Sequence, residues 1–395
     1  MALAADADVA ATVLGLLQAM AGWLAVRRFA SSALAGAASP DRLPAVSVLK
    51  PLCGPEPGLE QALASFCAQD YPRAQLIFGV QDAADPAAAV VARLRALYPA
   101  AEIVLIADPR VLGANRKISN LANMLPAARH DVLVFADSDL HVPPDYLRRV
   151  VAALARPGIG LVTTLTIGRP GADCRIARLG ALALTCSFLP GVLLARLLGR
   201  EDNLGTTMAL RRETLRRAGG LEALACELAD DAALGQRVRA LGLGIALAGT
   251  VAQTTVPETR LSALFAHELR WGRTIRMLVP TAYALSLLQY PLFWALLAVL
   301  LSGCAVWALA LFALAWLGRA LLAAGVCRDL RRVGAPADPA PWLLPLRDVL
   351  SAAVVLCSFT GRAVTWRGHR LRAAAPLPAD RPPVAEARLW AKIGE

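Results

Sequence analysis

DVLVFADSDLHVPPDYL, residues 131–147, joins a five-residue apolar run, Val132–Ala136, to two aspartates spaced i, i+2 and then to Pro143 and Pro144. A short apolar run without polar alternation is the pattern of a strand buried on both faces. In extended chain the side chains of Asp137 and Asp139 project to one side, as a hard divalent cation requires of two carboxylates. Magnesium or manganese held there would bridge diphosphate oxygens and stabilise charge on a leaving group. The competing reading is a capped turn leading to the proline pair.

The same rhythm extends outward from Pro44 to about Thr255. Strands are predicted at Ala45–Leu49, Gln75–Gln81, Glu102–Ile106, Gly160–Thr166 and Ile245–Ala248, with helices such as Gly58–Cys67 and Ala87–Tyr98 between them. Alternating elements of this kind predict an α/β domain around a mostly parallel sheet. Ligands of such sheets gather beyond the carboxyl ends of the strands, so acids following apolar runs are the candidates for chemistry.

Three further groups meet that condition. Asp82 closes LIFGVQD, with Asp85 three positions on; it reads either as a partner for a nucleoside's N–H and hydroxyl groups or as an Asx turn or helix cap before Pro86. Asp230 and Asp231 open a helical pattern, either as compensation of the helix dipole or with one acid acting as a general base toward a substrate hydroxyl. The loop GANRKISN (113–120) offers Asn115, Lys117 and Asn120 to a phosphate or to solvent. Farther on, HELRWGRTIRM (267–277) sets Arg270, Arg273 and Arg276 along one side of a helix. Lipid headgroups suit Arg273 and Arg276, whereas Arg270 beside Trp271 suits a diphosphate and a sugar or acceptor.

Composition places this domain at a membrane. The 395 residues are 57% AVILMFWYC, with a mean hydropathy of +0.51, above the roughly 45–50% apolar usage of soluble domains. The net charge of +11 suits a membrane surface or a phosphate-bearing ligand; nucleic acid is not an expected partner. The eight cysteines form no CxxC pair, which excludes a structural zinc site and a disulfide-stapled secreted fold. Val9–Val26 is uncharged and followed by Arg27 and Arg28, the pattern of an uncleaved anchor with its N-terminus outward. Met277–Gly318 runs 42 residues without a charge, enough for two spans, Ala282–Ser302 and Cys304–Ala324, broken at Gly303. Val349–Gly361 reads as re-entrant, interfacial or a fourth span, with the basic tail at 366–372 favouring a segment that does not cross. Gly180–Ala195 is uncharged but short for a span, and reads as an interfacial or a core helix.

Taken together, KPLCG (50–54), QDYP (69–72), VQDAADP (80–86), NRKISNL (115–121), ADSD (136–139), GTTMALRRETL (205–215), ADD (229–231) and LRW (269–271) carry a resemblance. From about Val46 to Pro280 the chain resembles the ceramide glucosyltransferase family, glycosyltransferase family 21, within the family 2-like enzymes of the D, D, D, (Q/R)xxRW pattern. The bacterial hopanoid-biosynthesis glycosyltransferases read closest. The resemblance implies a GT-A catalytic domain that inverts the sugar's anomeric centre. It implies that Asp82 contacts the uridine of a UDP-sugar, that Asp137 and Asp139 hold the divalent metal, Mg2+ or Mn2+, and that Asp231 is the base. Arg270 and Trp271 would sit over the diphosphate and acceptor, with Lys117 and Asn120 near the donor nucleotide. Ala83 and Ala84 separate Asp82 from Asp85 where the pattern often carries adjacent acids, so both stand as donor-binding candidates. His267 replaces the usual glutamine or arginine, and no role is carried over to it.

The expectation is therefore a membrane anchor and linker at 1–43, a cytoplasmic GT-A domain at 44–276, and membrane helices with a basic tail at 277–395. The protein would be multi-pass in the cell inner membrane. Its reaction would move a sugar from UDP-N-acetylglucosamine to a hydroxyl of a hopanoid such as bacteriohopanetetrol. The alternative is ceramide glucosylation from UDP-glucose.

Overall fold

The computed structural model describes residues 2–35, 43–361, 363–366 and 369–372. Arg362 and Arg367, the latter in the expected basic tail, lie outside the described residues. Val132–Ala136 is a strand with all five residues buried. Val132, Val134 and Ala136 join one core, while Leu133 and Phe135 join another, the period-two division of a strand covered on both faces. Helices Leu59–Cys67, Pro86–Leu97 and Tyr146–Leu154 close the first core. Helices Arg116–Met124 and Asp230–Ala240 close the second. Each large apolar side chain so enclosed contributes about 1.5–3 kcal/mol.

That strand is the fourth of eight: β1 (Val46–Pro51), β2 (Ala74–Val80), β3 (Glu102–Ala107), β4 (Val132–Ala136), β5 (Leu140–His141), β6 (Ile159–Pro170), β7 (Thr207–Arg211) and β8 (Gly244–Val256). Their order in the sheet is β3-β2-β1-β4-β7-β6-β8-β5. β1 runs parallel to β2 and β4, and β2 to β3. β4 with β7, β7 with β6, and β5 with β8 are antiparallel. The sheet is thus mixed rather than mostly parallel. A short buried run such as TMALR has no feature that encodes its direction, and the two-residue β5 is too short to leave a pattern.

The described residues form two compact units, one within 43–165 and 201–255, which holds most of the sheet, and one within 2–35, 166–200 and 256–372. In the second unit four helices are long and apolar enough to cross a membrane: Asp6–Ala35, Arg175–Leu197, Val306–Arg332 and Pro341–Ser358. A further pair, Pro280–Gln289 and Pro291–Leu301, is bent by 65°. The bend replaces the straight span expected at Ala282–Ser302, because Pro291 has no N–H for the preceding turn and starts a new helix. Gly303 (φ 64°) and Cys304 (φ 63°) make the expected break before Val306–Arg332.

Gly180–Ala195 is longer than expected. It lies inside the 23-residue Arg175–Leu197 stretch, whose terminal arginines shortened the uncharged run visible in the sequence. A π turn at Leu184–Phe188 interrupts it. Pro190 cannot donate to the carbonyl of Cys186 four residues back, and that carbonyl instead accepts from Arg319 Nη2 at 3.0 Å. Val349–Gly361 overlaps the Leu344–Ser358 helix, which with its leading 3-10 turn also reaches spanning length.

Candidate active site

Three parallel strands, β1, β2 and β4, end along one edge of the sheet, and the chain turns polar after each. After β4, the main-chain N–H of Asp137 donates to Thr206 O at 3.1 Å, tying this turn to the segment before β7. Lys117, in the first turn of Arg116–Met124, places Nζ 2.6 Å from Asp137 Oδ1 and 4.0 Å from Asp230 Oδ2. Lys50, at the end of the apolar strand β1, is fully buried; its Nζ donates to Asp137 O at 2.6 Å and lies 3.7 Å from the centre of the Phe66 ring. Asp139 Oδ2 accepts from Thr254 Oγ1, and Ser138 Oγ donates to Glu56 Oε2 at 2.5 Å.

Asp230 and Asp231 open the Asp230–Ala240 helix. Asn115 caps its own helix through Ile118 N–H and donates Nδ2 to Asp230 Oδ1 at 3.2 Å; Asp230 Oδ2 has no hydrogen-bond partner among the described residues. Asp231 Oδ1 accepts from Ala232 N–H at 2.8 Å. Its other oxygen lies against Gly205, where a Cβ would stand 2.6 Å from Oδ2 and the backbone φ is +79°. Both facts require glycine there.

Burial dominates the electrostatics. It pushes Asp231 up to about 7, assisted by the charge of Asp230, and raises Asp230 as well. Burial and then the neighbouring Asp137 charge push Asp139 up to about 6, against the Thr254 hydrogen bond. Lys50 is driven down to about 7 by burial, resisted by Asp139, Asp137 and Glu56. Burial also acts downward on Lys117, but Asp137 and Asp230 outweigh it and hold this ammonium above its ordinary value. Four aspartates thus surround two lysines.

The other predicted residues have partners of their own. Asp82 is exposed, and its Oδ1 accepts from Ala84 N–H at 2.9 Å in an Asx turn. Asp85 caps Pro86–Leu97 through Ala87 N–H at 2.9 Å and also accepts from Gly54 N–H. Both follow β2, two strands from β4, or roughly 10 Å across the sheet. Asn120 is buried, and its amide donates to Gly79 O at 2.8 Å and to Leu52 O at 3.4 Å, bracing the ends of β2 and β1. Arg270 and Trp271 lie on the Leu261–Leu278 helix of the other unit. There the Trp271 ring is edge-on to His267 at 4.4 Å, and the Arg270 guanidinium is 6.0 Å from its centre. His267 Nδ1 pairs with Glu258.

Sequence reading gave no role to Lys50, Glu56, Thr254 or Gly205. A lysine closing the run VSVL was the available signal, since a charge at the end of a buried strand needs partners.

A sequence model of "Glycosyl transferase family 21" matches residues 7–376. The chain belongs to this family. The family 21 chain is 24% identical over 248 residues to "Ceramide glucosyltransferase 1" of Caenorhabditis elegans, covering 62% of this chain and 53% of the relative. It is 32% identical over 121 residues to a ceramide glucosyltransferase of Komagataella phaffii, covering 30% and 24%. The chain therefore spans about half the length, or less, of these curated relatives. Among solved structures, a mannosyltransferase from Pyrobaculum calidifontis, in complex with GDP-Man and Mn2+, matches with a TM-score of 0.48 at 18% identity, over 89% of this chain and 98% of that one.

Proposed function

We infer that this family 21 chain is a membrane-bound glycosyltransferase that moves a sugar from a UDP-sugar to a lipid hydroxyl. The observation that carries the reading is Asp231, a carboxyl pushed up to about 7 in a group with Asp230, Lys117 and Asp137. A base tuned near neutrality can take the acceptor's proton as its oxygen attacks the anomeric carbon. Because the relatives are named for ceramide, ceramide with UDP-glucose takes precedence over a hopanoid polyol with UDP-N-acetylglucosamine. Purified full-length protein supplied with each radiolabelled UDP-sugar, and with ceramide or bacteriohopanetetrol, decides between them; no labelled lipid from any combination would remove the reading.

Asp137 and Asp139 fit a divalent cation. Two carboxylates of four stand in excess of the two lysines, and no group of three or more His, Cys, Asp or Glu side chains arranged for a metal occurs among the described residues. A magnesium-like ion needs only one or two carboxylates when substrate phosphates complete its shell. When bound, it would neutralise charge on the departing diphosphate. Lys117, already at Asp137, adds a fixed positive charge for the same purpose. Asp139→Ala is expected to abolish the metal-dependent part of UDP-sugar binding, read by titration with and without chelator. Affinity indifferent to chelator in the unsubstituted protein would count against the metal site.

The pH profile follows from the same cause. Asp231 acts only when ionised, so kcat/KM is expected to rise tenfold per pH unit below about 7 and to level above it. Asp230→Asn removes the neighbouring charge that raises Asp231, and should move this limb to lower pH. A profile flat from pH 5 to 8 would contradict the assignment. We place the catalytic unit on the cytoplasmic side of the cell inner membrane, on the strength of Arg27 and Arg28 following the first span.

A further inference from the structure

A small cleft inside the membrane-helix unit is lined by Gln18, Gly22, Ser187, Pro190, Gln289 and Arg319 among others. Its free volume for a water-sized group is about 20 Å³, enough for one hydroxyl or carbonyl. Gly15 and Gly22 sit one heptad apart on the first helix. A Cβ on Gly15 would stand 2.5 Å from Leu288 O, and one on Gly22 2.9 Å from Pro190 Cβ. These close approaches clamp the helix on either side of Gln18, so its amide shares the cleft. Gln18 has no side-chain hydrogen bond among the described residues, and Gln289 uses one amide N–H on Tyr290 Oη at 2.9 Å. Arg319, 3% exposed, donates to Cys186 O and Ser187 Oγ. Its Nε faces Asp348 Oδ1 at 3.8 Å, and among the described residues neither of these two atoms has a hydrogen-bond partner.

Polar groups at spanning depth are costly, and their presence marks a substrate path or a binding site. Here the arginine's charge is matched by Asp348, which leaves the cleft neutral overall and lined by amides and a hydroxyl. An anionic phosphate would find no surplus positive charge, whereas a neutral hydroxyl or amide would find both donors and acceptors. We propose that this cleft binds the neutral polar group of a membrane lipid bearing hydroxyl and amide functions, the acceptor class of the transfer reaction inferred above, on which this assignment rests.

The test titrates the full chain in detergent, without donor, with N-hexanoylsphingosine and separately with short-chain phosphatidylglycerol, read by calorimetry. Gln18→Leu removes the amide at similar size. Gly191→Val crowds the cleft from another helix, at a position where the nearest tertiary contact of a Cβ is Gln289 Oε1 at 3.6 Å, so the two variants perturb the cleft independently. Gln18→Leu is expected to weaken N-hexanoylsphingosine by up to about tenfold, the upper worth of one neutral hydrogen bond, and Gly191→Val at least as much by occupying the space, with UDP affinity unchanged. The proposal is overturned if the unsubstituted protein does not bind this probe, if phosphatidylglycerol binds equally well, or if both variants bind like the parent. A protein that binds the probe through this cleft yet glycosylates no lipid would remove the function inferred above and leave the site. Sugar transfer with an acceptor KM indifferent to both substitutions would do the reverse.

Discussion

Asp231→Asn is expected to lower sugar transfer by about 10²–10⁴-fold, the usual share of a positioned general base, while UDP binds as before. The substitution is nearly isosteric. The amide oxygen can still accept from Ala232 N–H, which holds Oδ1 at 2.8 Å, and the space opposite Gly205 is unaltered. What disappears is the capacity to take a proton. Transfer of radiolabelled sugar by the full chain, beside a separate UDP titration, reads the two effects apart. Turnover equal to the parent would end the base assignment, whereas loss of UDP binding together with turnover would point to a structural role for the pair Asp230–Asp231.

The largest stability effect is expected at Arg347. It is 1% exposed and grips Glu268 with both ends of its guanidinium, Nη1 to Oε1 and Nη2 to Oε2, each at 2.7 Å. It also donates to Leu179 O at 3.1 Å and to Ser351 Oγ at 3.0 Å. Arg347→Met leaves Glu268 without its counter-ion and a carbonyl without its donor, at a cost of about 3–5 kcal/mol for breaking a buried pair from one side. Thermal unfolding in detergent measures it. Arg347→Lys should recover only part, since an ammonium cannot repeat the paired geometry. The double change Arg347→Met with Glu268→Leu should be milder than the single one, because no charge is then stranded. A single variant as stable as the parent would show that the pair carries no net stability.

The acid cluster was legible where local chemistry and strand burial coincide. Val132–Ala136 reads as a doubly covered strand because every residue is apolar, and the pair of aspartates after it then falls at a strand end. The helix opened by Asp230 and Asp231 was equally plain, since two acids preceding an amphipathic run suit a positive helix terminus. Direction was not legible: the apolar centre of β7, Met208–Leu210, pairs as well antiparallel as parallel. Nor was Asn120's employment on Gly79 and Leu52 carbonyls, because a side-chain amide serves a ligand or a backbone equally and only the fold decides between them. The full length of the Arg175–Leu197 helix was hidden for a different reason. Its terminal arginines and Pro190 shorten the uncharged stretch, and a carbonyl freed by proline is satisfied by Arg319, more than a hundred residues away in sequence.

Lys117 adds a property of the resting protein. With its ammonium 2.6 Å from Asp137 and 4.0 Å from Asp230, mutual repulsion among the carboxylates is already relieved before any substrate arrives. On the function proposed above, this ion pairing would hold the acid group in place when neither nucleotide nor cation is bound. An incoming cation meets a resident competitor, so its capture should depend on the phosphates that arrive with it, and free ion alone should bind weakly.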